Sequence, residues 1–129
     1  MASSVQTHSP QLTPYGRRVL VTGGNRGIGL AAVEILAAAG CNVAMNCASA
    51  PEKAEAESAR LRKEYGVDIH VLQADVGDPA AARSMTRKAA ELMNGLDIVV
   101  CNAGICRFKP IMEVTDEDWL VHMNTNLNG

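Results

Sequence analysis

From Arg17 onward, short apolar runs take turns with longer amphipathic segments. The runs fall at Val19–Thr22, Asn42–Asn46, Asp68–Gln73 and Leu96–Cys101. They are apolar on both sides of the pleat, as strands covered on both faces of a parallel sheet are. Between them, apolar residues recur at helical spacing. Ile28, Ala32, Ile35, Leu36 and Ala39 form one stripe, closed by Gly40 at a position where glycine ends a helix without steric cost. Ala54, Ser58, Leu61 and Tyr65 form a second, entered at Pro51 and closed by Gly66. Met85, Ala89 and Leu92 form a third, entered through Asp78-Pro79, an N-cap acceptor followed by proline at the first helical position. A fourth helix opens at Thr115, with Asp118 placed to complete a capping box, and carries Trp119, Met123 and Leu127. Trp119 is expected to pack in the core. The charged run from Glu52 to Glu64 reads as the solvated face of its helix.

The order β-α-β-α-β-α-β-loop-α predicts the α/β class: a Rossmann-type doubly wound parallel sheet with right-handed crossovers and strand order 3-2-1-4. Residues 1–16, rich in Ser, Thr, Gln and Pro, read as a flexible tail, and residues 17–129 as the N-terminal part of a dinucleotide-binding domain.

Composition narrows the partners. Hydrophobic content of 47% with 20% charged residues suits a folded domain rather than disorder. A net charge of -2 offers no attraction to nucleic acid or an anionic membrane. Aromatics at 3% are too few for a base-stacking surface. No apolar stretch approaches the ~18 residues of a membrane span, and the tail has no apolar secretory segment, so a cytoplasmic location is expected. Cys41, Cys47, Cys101 and Cys106 form no C-x-x-C pair and no metal-ligand spacing. Lying mostly in or beside apolar runs, they read as reduced, buried or half-buried thiols.

The strongest local signal is Thr22-Gly23-Gly24-Asn25-Arg26-Gly27-Ile28-Gly29, leaving the first strand and opening the first helix. A sharp strand-to-helix turn needs positive φ, a pyrophosphate needs backbone without a Cβ in its way, and the helix must pack closely on the sheet. The helix N-terminus adds free N–H groups and partial positive charge.

The spacing Thr22-Gly23-x-x-x-Gly27-x-Gly29 resembles that of the short-chain dehydrogenase/reductase family. Asp75-Val76 after the third strand resembles the family's contact with the adenine end of the cofactor. Asn102-Ala103-Gly104 at the end of the fourth strand resembles its N-A-G motif, which steadies the sheet and lies along the cofactor. Trp119 with Asn126 resembles the helix whose asparagine serves the family's proton relay, so Asn126 is the one candidate catalytic residue. The resemblance implies hydride transfer between a nicotinamide cofactor and a small-molecule carbonyl or secondary alcohol, in a protein that is homo-oligomeric when complete. No metal is implied.

NAD-preferring sites place an acid near the end of the second strand, where it would repel a 2′-phosphate. Here that region reads Asn46-Cys47-Ala48-Ser49, without an acid. Arg26 in the glycine turn offers a planar fork to a phosphate, and Ser49 a further donor. The expected cofactor is NADP(H) rather than NAD(H), with Asn25, Ile28, Ala48 and Ser49 completing the site.

The resemblance also implies a serine and a Tyr-x-x-x-Lys motif. Tyr15 lies in the tail, and Tyr65 is followed four residues on by Ile69, so neither tyrosine fits. The chain therefore reads as an incomplete copy of such an enzyme, inactive alone and marginally stable, with its fourth strand an exposed edge. Two other readings remain open at this point: a dinucleotide-binding protein without catalysis, and an interaction module docking through that edge. Arg107 and Lys109 stand where an acidic substrate would meet them, though a solvated loop accounts for both.

Overall fold

The computed structural model describes residues 13–129. Its elements are β1 (Arg18–Val21), α1 (Gly27–Ala38), β2 (Asn42–Cys47), α2 (Pro51–Tyr65), β3 (Ile69–Gln73), α3 (Pro79–Leu92), β4 (Ile98–Val100), a short turn of helix at Ile111–Glu113, and α4 (Asp116–Met123), which widens into a π-turn at Asn124–Asn128. The strands are all parallel, in the order β3-β2-β1-β4 expected from the alternation of strand and helix. Of the expected tail, residues 1–12 lie outside the described residues. Residues 14–16 are tied down: the Gly16 N–H donates to Gly40 O (2.9 Å), and the Cys41 thiol reaches Pro14 O (3.0 Å).

Successive residues of the central strands point to opposite faces, and both faces are covered. Val19, Val21, Val43, Met45 and Cys47 pack with Val33 and Ala37 of α1 and Ala54 and Leu61 of α2. Leu20, Ala44 and Leu72 pack with Met85 and Ala89 of α3. This two-sided burial is why the runs lack a polar alternation.

The α1 stripe is a correction. The helix buries Gly29, Val33 and Ala37, while Ile28 and Ile35 are 84% and 69% exposed. Apart from Glu34 this helix is apolar all round, so the spacing of its apolar residues selects no face; close packing of Gly29 on the glycine turn sets the rotation instead. Three further expectations fail on burial. Trp119 is 63% exposed rather than in the core, Leu92 and Leu127 are exposed, and so are Cys101 and Cys106, leaving only Cys41 and Cys47 buried. β4 is shorter than its apolar run because the Asn102 N–H turns back to Val100 O and Thr22 Oγ1, ending the ladder. It stands at the edge of the sheet with Ile98 and Val99 exposed.

The helix ends follow their residues. Gly40 (φ +83) closes α1 with a pair of bonds, Gly40 N–H to Ala37 O (2.9 Å) and Cys41 N–H to Leu36 O (3.0 Å), the Schellman pattern. Asp78 caps α3 through the N–H groups of Ala80 and Ala81, and Thr115 with Asp118 forms both arms of a capping box on α4. Among the described residues no helix is long and apolar enough to cross a membrane, and no cluster of metal-ligating side chains occurs.

Candidate cofactor cleft

A cleft of about 630 Å³ opens at the carboxyl ends of the strands, where ligands of doubly wound sheets bind. It gathers nearly all the residues singled out in the sequence: Gly23, Asn25, Arg26, Gly27, Ile28 and Gly29 of the glycine turn, Ala48 and Ser49 after β2, Asp75 and Val76 after β3, and Asn102, Ala103 and Gly104 after β4. Thr22 and Asn126 stand outside the lining and act from behind it.

The turn is shaped for close approach. Gly23 takes φ +62, and a Cβ there would stand 3.0 Å from Ala103 Cα. A Cβ on Gly29 would overlap the Gly23 carbonyl and the Asn102 amide. The N-terminus of α1 is thereby pressed against the turn. Among the described residues no side chain caps it and no acid occupies its first turn, so its N–H groups and partial positive charge are left for a ligand anion. A pyrophosphate fits this cradle.

Thr22 and Asn102 lock the turn to the end of β4. Thr22 Oγ1 accepts from the Asn102 and Ala103 N–H groups (3.0 Å each), and Asn102 Nδ2 donates to Thr22 O (3.0 Å) and Gly23 O (3.1 Å). Sequence reasoning passed over the residue that does the same on the other side. Asn46 is 1% exposed, accepts from the Gly23 N–H (3.2 Å), and donates to Leu72 O (3.1 Å) and Ala74 O (3.0 Å). One amide thus ties the glycine turn to the end of β3. The signal was an asparagine in an otherwise apolar buried strand, which must find partners.

At the far end, Asn25 Nδ2 donates to Ser49 O (3.3 Å), joining the glycine turn to the β2–α2 connection. Ala50 holds a left-handed conformation (φ +54) that swings α2 beside the cleft, and Lys53 joins the lining. Asp75 Oδ1 accepts from the Gly77 N–H (2.8 Å), so it shapes its own turn as well as facing the cleft.

The segment after β4 is pinned to α4 at alternate residues. Asn126 exchanges a pair of hydrogen bonds with the Ile105 backbone, and the Arg107 N–H donates to His122 Nε2 (3.1 Å). Because Nε2 accepts, Nδ1 carries the proton and donates to Asp118 O (2.6 Å). Lys109 Nζ bonds Asp118 Oδ2 (2.6 Å), and this ammonium, followed by the Thr115 N–H and hydroxyl, holds the Asp118 carboxyl well below the usual carboxylate range. Lys109 is thus committed to α4, whereas Arg107 lines the cleft. Tyr65 bonds Glu34 (3.4 Å) between α2 and α1, and the Tyr15 ring lies against Gly40; neither lines the cleft.

The family described as short chain dehydrogenase matches residues 17–129. The 3-oxoacyl-acyl-carrier-protein reductase FabG of Staphylococcus aureus is 39% identical over 113 residues, covering 88% of this chain and 46% of its own length. A Burkholderia cenocepacia short chain dehydrogenase solved with NADP superposes with TM-score 0.86 at 40% identity, covering 90% of this chain and 47% of that one. A blue fluorescent protein from a metagenomic library, solved with NADPH, does so with TM-score 0.85 at 37% identity over the same shares. The chain spans just under half the length of these relatives. On the match over residues 17–129 and the parallel sheet order it shares with its solved relatives, the chain belongs to the short-chain dehydrogenase family.

Proposed function

We propose that the chain carries the cofactor site of an NADP(H)-dependent oxidoreductase acting on a carbonyl or secondary alcohol. The observation that carries this reading is the uncapped α1 N-terminus, pressed by Gly29 onto the turn that opens the cleft. In this reading Gly23, Gly27, Ile28 and Gly29 hold the pyrophosphate. Asp75 and Val76 meet the adenine end, Ala48 and Ser49 the ribose, and Asn102, Ala103 and Gly104 run along the rest. Arg26, with Asn25 setting the turn beside Ser49, takes the 2′-phosphate. When bound, the nicotinamide supplies or accepts the hydride. Support for NADP comes from the missing acid after β2 and from relatives solved with NADP or NADPH.

Asn126 is proposed to serve the proton relay by fixing the Ile105 backbone at the cleft's edge. The 129-residue polypeptide is proposed to bind cofactor without turning over a ketone, since neither of its tyrosines lines the cleft.

Fluorescence titration of the chain with NADPH and NADH tests the reading. Saturable binding of NADPH is expected, with Arg26→Ala weakening NADPH much more than NADH. An equal loss for both would remove the NADP assignment; saturation by neither would remove the dinucleotide reading altogether.

A further inference from the structure

The charged run of α2 is not uniform. Arg60 is enclosed by Glu34, Glu57 and Glu64, which clip α2 to α1. Lys53, in the first turn, makes no ion pair among the described residues and lines the cleft. Its neighbours Glu52 and Glu55 stand close enough to raise the Cys47 thiol, and neither lines the cleft. Among the described residues the one carboxylate in the lining is Asp75, in the turn after β3 and engaged by the Gly77 N–H.

We propose that Lys53 is a second cofactor-selecting cation, closing on the 2′-phosphate of NADP(H) from the α2 side while Arg26 closes from the α1 side. This rests on the dinucleotide reading above. Three features place the phosphate between them. Ser49 and Asn25, joined by the Asn25 Nδ2 bond to Ser49 O, both line the cleft, one from the α2 side and one from the α1 side. The left-handed Ala50 turns α2 so that its first turn faces the cleft. Among the described residues no side chain caps α2, and the Glu52 carboxylate of its first turn stays out of the lining that Ala50 and Lys53 join. A dianionic phosphate held by two cations from separate helices is recognised more selectively than by one, because NADH leaves both without a partner.

The test is calorimetric titration of the whole 129-residue chain with NADPH and NADH, in wild type, Lys53→Ala, Lys53→Met and Lys53→Arg, with Lys63→Ala as a control at the other end of α2. Lys53→Ala and Lys53→Met are expected to weaken NADPH about tenfold and leave NADH within about twofold, as loss of one charge-assisted contact does. Lys53→Arg should retain NADPH affinity, and Lys63→Ala should change neither. The Met variant keeps the aliphatic stem, separating charge from packing. Wild-type NADPH binding that Lys53→Ala and Lys53→Met leave unchanged, or that falls equally for both cofactors, overturns the role of Lys53 alone. Wild type that binds neither cofactor overturns the dinucleotide reading and this proposal together.

Discussion

Asn126 holds Ile105 by both of its backbone groups: Oδ1 accepts the Ile105 N–H at 2.7 Å, and Nδ2 donates to the Ile105 carbonyl at 2.9 Å. One amide from the last turn of the chain therefore fixes the path of the segment that follows β4. Replacing it with Leu removes both bonds. The expected cost is about 1 kcal/mol, since the pair is exposed to water. Hydrogen exchange of the Ile105 amide should accelerate while exchange in β2 is unchanged; an unaltered Ile105 amide would mean the contact does not anchor the segment.

Asn46 is the costlier asparagine. Its buried amide serves the Gly23 N–H and the Leu72 and Ala74 carbonyls at once. Asn46→Leu removes all three bonds from a buried site and is expected to destabilise the fold by about 3 kcal/mol. Asn46→Asp should cost more, because a carboxylate sets oxygen against two carbonyls. Denaturant midpoints check the order, and an Asp variant as stable as wild type would contradict it.

Two glycines of the turn should respond differently to alanine. Gly27 sits at φ +55 with open space where a Cβ would go, so the expected cost is only conformational, about 1 kcal/mol. Gly29→Ala drives a methyl into the Gly23 carbonyl and the Asn102 amide, and should both destabilise the chain and abolish dinucleotide binding. Equal affinity in the two variants would show that the turn is less tightly packed than this geometry requires.

Asp118 sets an acid limit. Its carboxyl is held low by Lys109 and then by Thr115, and Asp97 is held low by Arg18. A carboxyl lowered in the folded state stabilises the fold above its unfolded value of about 3.9, and that stabilisation is lost as pH falls toward the folded value. Asp118→Asn should lower the melting temperature at neutral pH and flatten its fall below about pH 4. Melting curves from neutral to strongly acid pH decide it: wild-type and variant curves that stay parallel would exclude a linked proton at Asp118.

The cysteines divide by burial. Desolvation pushes the Cys41 and Cys47 thiols up, with Glu55 and Glu52 adding to the effect at Cys47, while Cys101 and Cys106 are exposed. Iodoacetamide applied to the native chain should label Cys101 and Cys106 and spare the other two, read by peptide mass. Labelling at Cys47 without unfolding would mean that α2 opens readily.

Some of the site could be read one residue at a time. Glycine at 23 and 29 answers a local demand, positive φ in one case and contact with backbone in the other, and no other residue meets it. The capping box at Thr115 and the Asp78 cap were legible for the same reason, since their partners lie within three residues. Lys53 was not legible. Sequence placed it in a charged run beside residues of the same kind, and only the turn of α2 after Ala50 brings its first turn, and Lys53 with it, to the cleft. Trp119 was misread because a large apolar side chain on a helix is usually buried, and nothing local says whether a neighbour covers it.

By itself, then, the sequence determined the alternation of strand and helix, the parallel order β3-β2-β1-β4, and the glycine turn at the mouth of the cleft. These depend on short-range periodicity, on caps and on the handedness of crossovers, all written within a few tens of residues. Tertiary structure alone decided which face of α1 is buried, that Asn46 joins β1's turn to β3, and that Asn126 grips Ile105. A helix apolar on nearly every side, as α1 is apart from Glu34, has no preferred face until a neighbour presses on it. A polar side chain has no partner until the chain brings one from 20 or more positions away, and hydrogen bonds of that reach leave no period in the sequence.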